Sequence, residues 1–128
     1  ILDADVVFPV LHGPLGEDGT IQGLLKLANL PFVGAGVLGS AVGMDKDVQK
    51  RLLRDAKIPT AKFVVLTTSH NSFSIIHNSN LTFPLFVKPA NLGSSIGISK
   101  AKTKQDAHCI GGRRSGNRQE PRSLFLES

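Results

Sequence analysis

The sequence predicts an α/β fold, and three observations carry that prediction. Short apolar runs bounded by glycine, proline or polar clusters, DVVFPVL, KFVVLT and FPLFVKPA, have the length and composition of strands. Between them lie stretches whose apolar residues recur at helical spacing, such as Ile21, Leu24, Leu25 and Ala28. Two glycine-rich loops, HGPLGEDG and NLGSSIG, stand where strands would end.

Taken in order, DVVFPVL reads as a buried strand, with Pro9 marking an irregularity or an edge near its end. The HG…GEDG segment is the loop leaving it. Asp18 is placed to cap a helix that begins near Gly19 or Thr20. LPFVGAG suggests a short strand entering a glycine turn, so the order is strand, loop, helix, strand, a βαβ-like rhythm. The pattern then restarts, and a domain boundary is expected near Gly43. A second helix is expected over residues 45–56, with Val48, Leu52 and Ala56 on one face and Pro59 beyond its end. KFVVLT and FPLFVKPA follow as strands, separated by the polar, turn-rich SHNSFSIIHNSN, and NLGSSIG leads on into ISKA. No internal repeat is present.

Composition narrows the function classes. With 128 residues and 41% hydrophobic content, the chain is one domain's worth or parts of two. The single cysteine, Cys109, excludes an internal disulfide framework and fits a reducing compartment, so a cytoplasmic location is expected. No apolar run approaches the ~20 residues that span a bilayer. The acids ahead of the first apolar run are unlike a signal peptide, and no membrane partner is expected. The chain opens on Ile1 rather than Met, and further residues are expected ahead of it. The net charge of +5 is uneven, with four of the six arginines in the last 22 residues. No nucleic-acid module or aromatic stacking pattern accompanies that charge, so nucleic acid is not expected as a partner. His70, His77 and His108 lack ligand-like spacing, which argues against a zinc site, and no role is assigned to them.

Several positions read two ways on chemistry alone. A loop between strand and helix aims backbone N–H groups at the positive end of the helix, a favourable place for an anion. His12 could donate there to a carboxylate or phosphoryl oxygen, and Glu17 could hold a cationic amine; equally, His12 could be a packing residue and Glu17 a complement to the helix dipole. Lys46, in MDK, is either a surface lysine or a flexible point charge for phosphate. Lys88, in VKPA, ends an apolar strand, where an ammonium needs solvent or a partner. NLGSSIG offers N–H groups and the hydroxyls of Ser94 and Ser95 to phosphate, or is a plain hairpin turn. It lacks the GK[ST] ending of a Walker loop, and no GxGxxG follows a strand as dinucleotide binding requires.

From His12 to Gly23, HGPLGEDGTIQG is similar, position for position, to the first signature of the D-alanine:D-alanine ligases, a family of the ATP-grasp superfamily. The resemblance continues through LPFVGAGVLGSAVGMDKDVQKRLL, IPTAKFVVLT and FPLFVKPANLGSSIGISKA, and so covers roughly residues 1–106. It implies the end of a Rossmann-like pre-ATP-grasp N-terminal domain over 1–43 and the start of the ATP-grasp central subdomain over 44–106. The implied reaction is ATP-dependent joining of two D-alanines, through an acyl phosphate, for peptidoglycan biosynthesis. Lys46 and Lys88 would contact the nucleotide phosphates. Ser94 would act catalytically by tying the active-site lid to the N-terminal domain, with Ser95 on phosphate beside it. His12 would sit near the first substrate and the developing acyl phosphate, and Glu17 would help bind that substrate. The family uses Mg²⁺ or Mn²⁺ and is expected to form homodimers. Its metal ligands, like the acid that receives the first amine, have no counterpart in these residues, so no metal ligand is named and the chain by itself is expected to be inactive. A D-alanine:D-lactate ligase shares these motifs. In a different class, a non-catalytic remnant would bind nucleotide weakly or only a partner.

After Asp106 the resemblance stops. A family member would continue with an amphipathic helix and an acidic strand that grips adenine. Here Gly111, Gly112, Gly116 and Pro121 oppose a helix, and residues 107–128 are expected to form an aberrant tail, from a shifted reading frame or from divergence.

Overall fold

In the computed structural model of the chain, which describes residues 4–67, 72–114 and 123–128, the first apolar run does not become a buried strand. Val7 instead makes one isolated parallel bridge with Phe32. Its N–H donates to the Pro31 carbonyl at 2.8 Å, and the Val33 N–H donates to the Val7 carbonyl at 3.0 Å. Helix α1 (Thr20–Leu27) connects the two bridged segments, so the βαβ-like connection is present while a sheet around it is not. A single bridge cannot cover two faces of an apolar segment. Phe8 accordingly stays 70% exposed.

Asp18 sits one residue early for the cap. Gly19 holds the N-cap position with φ 95°. The Asp18 carboxylate instead accepts from the Leu15 N–H at 2.8 Å and the Thr20 N–H at 3.0 Å, fastening the loop to the helix start. Helix α2 (Val37–Met44) was not expected and follows at once. Helix α3 (Lys46–Asp55) matches the expected second helix: Asp45 caps it, accepting from the Asp47 and Val48 N–H groups at 3.0 Å. The expected inner face is corrected. Val48, Leu52 and Ala56 are exposed, whereas Lys46, Asp47, Lys50 and Leu53 are the partly buried positions. Lys50 turns inward to Glu127 on the sheet, and Lys46 to the Leu92 carbonyl in the loop after β2.

Strand β1 (Phe63–Thr67) falls on KFVVLT. The segment read as a polar connection contains helix α4 (Ser72–Asn78), anchored by Ile76, which is buried against the sheet; His70 lies outside the described residues. Strands β2 (Leu85–Pro89) and β3 (Ser99–Ala101) form an antiparallel pair joined by the NLGSSIG loop. Helix α5 (Lys104–Arg114) and strand β4 (Ser123–Glu127) complete the chain. The sheet order is β1-β4-β2-β3, antiparallel throughout.

These last two elements correct the expectation that this stretch is free of helix, at the described positions. Gly111 and Gly112 each cost a helix about 1 kcal/mol relative to alanine. A capping box offsets part of that: the Asp106 N–H donates to Thr103 Oγ1 at 3.1 Å while Asp106 Oδ2 accepts from the Thr103 N–H at 3.0 Å. Ala107 of this helix is fully buried in the core with Leu66, Ile76, Leu85, Val87, Ala101, Leu124 and Leu126. Strand β4 lies between β1 and β2, so the end of the chain fills the middle of the sheet. Gly116 and Pro121 lie outside the described residues. No described helix is long and apolar enough to cross a membrane.

Candidate functional site

The alternation of β2 and β4 sorts their side chains onto two faces. Leu85, Val87, Leu124 and Leu126 enter the core against α4 and α5. Phe86, Lys88, Phe125 and Glu127 take the other face, where Phe86 pairs with Glu127 and Lys88 with Phe125. Helix α3 covers part of this face. Phe125 is buried there, stacked on Phe63 with ring centroids 5.0 Å apart.

Glu127 joins the layers. Its Oε1 accepts from Lys50 Nζ of α3 and its Oε2 from Lys88 Nζ of β2, each at 2.5 Å. Burial raises the Glu127 carboxyl, but the hydrogen bonds from Lys50 and Lys88 outweigh it and hold the group below its ordinary value. The sequence analysis missed this residue. Its signal is an acid closing the apolar run LFLE, the same arrangement that marks Lys88 at the end of LFVK.

Lys46 opens α3 from the first helical position. Its Nζ donates to the Leu92 carbonyl at 2.5 Å and its backbone N–H to the Ala90 carbonyl at 3.0 Å. Asn91 Nδ2 donates to Asp45 Oδ2 at 2.9 Å, so the start of α3 is stitched to the segment leaving β2. Burial lowers the Lys46 pKa, the charge on Lys88 lowers it further, and Asp45 opposes both. Two ammonium groups thus repel each other beside a helix N-terminus, an arrangement that an anion would relieve.

Two loops face that point. In the first, Gly13 has φ 76° and its N–H donates to Glu17 Oε2 at 2.5 Å, so Glu17 closes its own turn. In the second, the Ile96 N–H returns to the Gly93 carbonyl at 3.1 Å across Ser94 (φ 50°) and Ser95 (φ 59°). These are the φ signs of a type I′ turn, built with serines where glycine or asparagine is usual. The backbone strain rests on the two serines rather than on Gly93. A Cβ on Gly93 would lie 3.5 Å from Glu17 Oε2, so the two loops meet there.

A cleft of about 690 Å³ opens between them, within the range of small-molecule sites. His12, Glu17, Lys46 and Ser94 line it together, and Ser95 and Lys88 lie outside that lining. Lys88 is instead tied to Glu127 within electrostatic reach of Lys46. The His12 side chain is exposed and makes no hydrogen bond among the described residues. Gln22, also unforeseen, lines the cleft; its Nε2 donates to the Gly16 carbonyl at 3.1 Å, and its Oε1 has no partner among the described residues. A second cleft of about 570 Å³, between Arg54 and Leu81, contains none of the expected residues. For a divalent cation the fit fails: no three His, Cys, Asp or Glu side chains cluster among the described residues.

An antiparallel sheet bears a lysine on its open face, a lysine-headed helix stands above it, and a serine–glycine loop lies beside both, an arrangement consistent with ATP-grasp-related domains. Known proteins agree. The family model described as D-ala D-ala ligase N-terminus matches residues 1–35, and that described as D-ala D-ala ligase C-terminus matches residues 52–110. D-alanine–D-alanine ligase A of Chromobacterium violaceum is 62% identical over 104 residues, 80% of this chain and 28% of that protein. The ligase A of Escherichia coli K12 is 59% identical over 104 residues, 79% of this chain and 28% of that protein. Among solved structures, the D-alanine–D-alanine ligase of Coxiella burnetii superposes with a TM-score of 0.84 at 38% identity, covering 98% of this chain and 37% of that one. The VanG D-Ala:D-Ser ligase of Enterococcus faecalis gives 0.83 at 39% identity, covering 100% and 37%. The chain belongs to the D-alanine–D-alanine ligase family, and it spans little more than a quarter of the length of these curated relatives.

Proposed function

We propose that these residues form part of a ligase that joins two D-alanines at the expense of ATP, for peptidoglycan precursors. The observation that carries this is Lys46, half-buried at the start of α3 with the Lys88 ammonium within electrostatic reach, on a cleft that Ser94 also lines. A polyphosphate supplies the spread negative charge that two such ammonium groups neutralise in phosphoryl transfer.

In this mechanism the carboxylate of the first D-alanine attacks the γ-phosphorus of ATP, forming an acyl phosphate and releasing ADP. The amine of the second D-alanine then attacks the acyl carbon, and inorganic phosphate leaves with the bonding pair. Lys46 and Lys88 neutralise phosphate charge as it moves. Ser94 and Ser95 hold the loop over the phosphates, with Ser94 also reaching toward the first loop. His12 donates to the oxygen that becomes negative as the acyl phosphate forms and collapses, and Glu17 shapes the amino-acid end. Mg²⁺ neutralises phosphate charge in reactions of this kind, and no step here is routed through it because the described residues offer it no site. We divide the chain at 43/44, before the Asp45 cap, and place the protein in the cytoplasm, as a homodimer when complete.

The second substrate is assigned as D-alanine on the names of the Chromobacterium and Escherichia relatives; the match to VanG favours testing D-serine beside it, and the shared motifs favour D-lactate as a third. The direct test is ATP binding to the purified chain by equilibrium dialysis. Lys46→Ala and Lys88→Ala should each weaken it about tenfold, the loss of one charge-assisted contact. Unchanged affinity in both variants would refute the phosphate assignment. Incubated with ATP, Mg²⁺ and D-alanine, the 128 residues alone should release no phosphate or dipeptide above the Lys88→Ala control.

A further inference from the structure

Glu127 answers to two lysines of different standing. Lys88 stands within reach of Lys46, and on the proposed function it takes a phosphate. Lys50 does not line the main cleft, yet its Nζ lies 2.5 Å from Glu127 Oε1 while Lys88 Nζ lies 2.5 Å from Oε2. The three side chains, Lys50, Lys88 and Glu127, are only 16%, 23% and 18% exposed. Lys50 sits one turn after Lys46 on the same face of α3, with its ammonium 5.9 Å from the centre of the buried Phe125 ring.

A sheltered carboxylate is costly without a partner. If Lys88 swings from Glu127 to an incoming anion, Glu127 loses one of its two ammonium groups. With Lys50 in place it keeps the other, and the exchange is affordable on electrostatic grounds. Without Lys50, the anion and Glu127 compete for the same ammonium, and part of the binding energy is consumed in stripping the carboxylate. We infer that Lys50 is a positioning residue, which holds Glu127 so that Lys88 can leave it for an anionic ligand in the cleft. This rests on the phosphate role proposed for Lys88.

Titration calorimetry with inorganic tripolyphosphate, which has no base or sugar, isolates this charge exchange. On the 128-residue chain, Lys50→Met should weaken binding about tenfold, comparable to losing a charge-assisted hydrogen bond. Lys50→Arg should restore it to within about twofold. The decisive variant is Lys50→Met combined with Glu127→Gln, which should also return to within about twofold, because the competing carboxylate is gone. Lys100 supplies the control for net charge: its ammonium stands 6.0 Å from the Phe86 ring centre on the same sheet face, and Lys100→Met should weaken binding less than Lys50→Met. A purely structural Lys50 would not be rescued by removing Glu127. If Lys50→Met fails to fold by circular dichroism, Lys50→Gln takes its place with the same thresholds. Lys50→Met within twofold of the parent, no rescue by Glu127→Gln, or an equal loss from Lys100→Met would overturn the inference. Should Lys88→Ala leave tripolyphosphate binding unchanged, or the parent not bind it, the phosphate reading of Lys88 falls and this inference with it.

Discussion

Two opposed effects act on the single proton of Glu127. Burial raises its carboxyl, the hydrogen bonds from Lys50 and Lys88 lower it, and the balance lies below the ordinary 4.5. Since the folded value is below the unfolded one, this group contributes stability above the unfolded pKa. That contribution is lost as pH falls through the folded value. Between about pH 5 and pH 3 the melting temperature of the parent should therefore fall more steeply than that of Glu127→Gln; parallel curves would place the acid sensitivity elsewhere. Lys46 works in the opposite sense. Burial and the Lys88 charge depress it, so its charged form carries a cost in the folded state, and an anion in the cleft would relieve that cost. His12 has no such electrostatic tie. In a chimera carrying these residues in place of the matching stretch of the Escherichia coli ligase A, His12→Gln should cut turnover by about a hundredfold, as loss of a transition-state donor does, while ATP affinity stays within about twofold. Equal losses in both would move His12 away from the amino-acid end.

At the scale of elements, the join between α1 and α2 is sterically exacting. Gly19 holds φ 95°, and a Cβ there would lie 2.7 Å from the Val37 carbonyl oxygen, a backbone atom that cannot swing aside. Gly19→Ala should cost about 1–3 kcal/mol in urea denaturation, from strain and displacement together. Gly23, inside α1 with open space around it, should gain up to about 1 kcal/mol on substitution by alanine. A similar response at both positions would remove the steric argument. The same elements show what local pattern can reveal. Helix α3 was legible because Asp45 caps it and Pro59 follows, β1 because its apolar run gives way to the polar TTSHN, and β2 because its run closes on Lys88 and Pro89; β3, three residues with one small apolar side chain, was not legible as a strand. Nor was helix α2: VLGSAVGM is apolar on every side, holds two glycines and has no side-chain cap. Strand β4 offered only Leu124–Phe125–Leu126 as a local signal. It becomes a strand through pairing with β1 on one side and β2 on the other, which no reading of neighbours along the chain can supply. Glu127 was missed for that reason, whereas Lys46, Ser94, His12 and Glu17 stood out as candidates because their motifs are contiguous. The cleft brings those four together, whereas no local pattern signals that Lys88 is held by a residue 39 positions later.

Across the whole molecule, apolar burial is lopsided. Leu25 is the sole buried hydrophobic residue of positions 4–44 among those described, while ten others lie between Leu66 and Leu126. In the first part Leu27 is 89% exposed and Leu38 77%, so α1 and α2 expose apolar surface where the sheet conceals it. Each buried leucine, valine or phenylalanine contributes about 1.5–3 kcal/mol over an exposed one, and local opening follows that distribution. The first part is held to the rest by a few specific ties: α2 against α3, and Glu17 against the Gly93 loop. Amide hydrogen exchange should therefore be slowest in β4 and β2, whose strands are paired on both sides, and at least about a hundredfold faster in α1 and α2. Adding ATP should slow exchange at the start of α3 and in the 93–97 loop, because the proposed function puts its phosphates against Lys46 and that loop. It should leave α1 nearly unchanged, since no phosphate contact is assigned there. Uniform protection across both parts would show that α1 and α2 share the stability of the sheet. Protection that rises in α1 alone on adding ATP would place the nucleotide on the wrong side of the cleft.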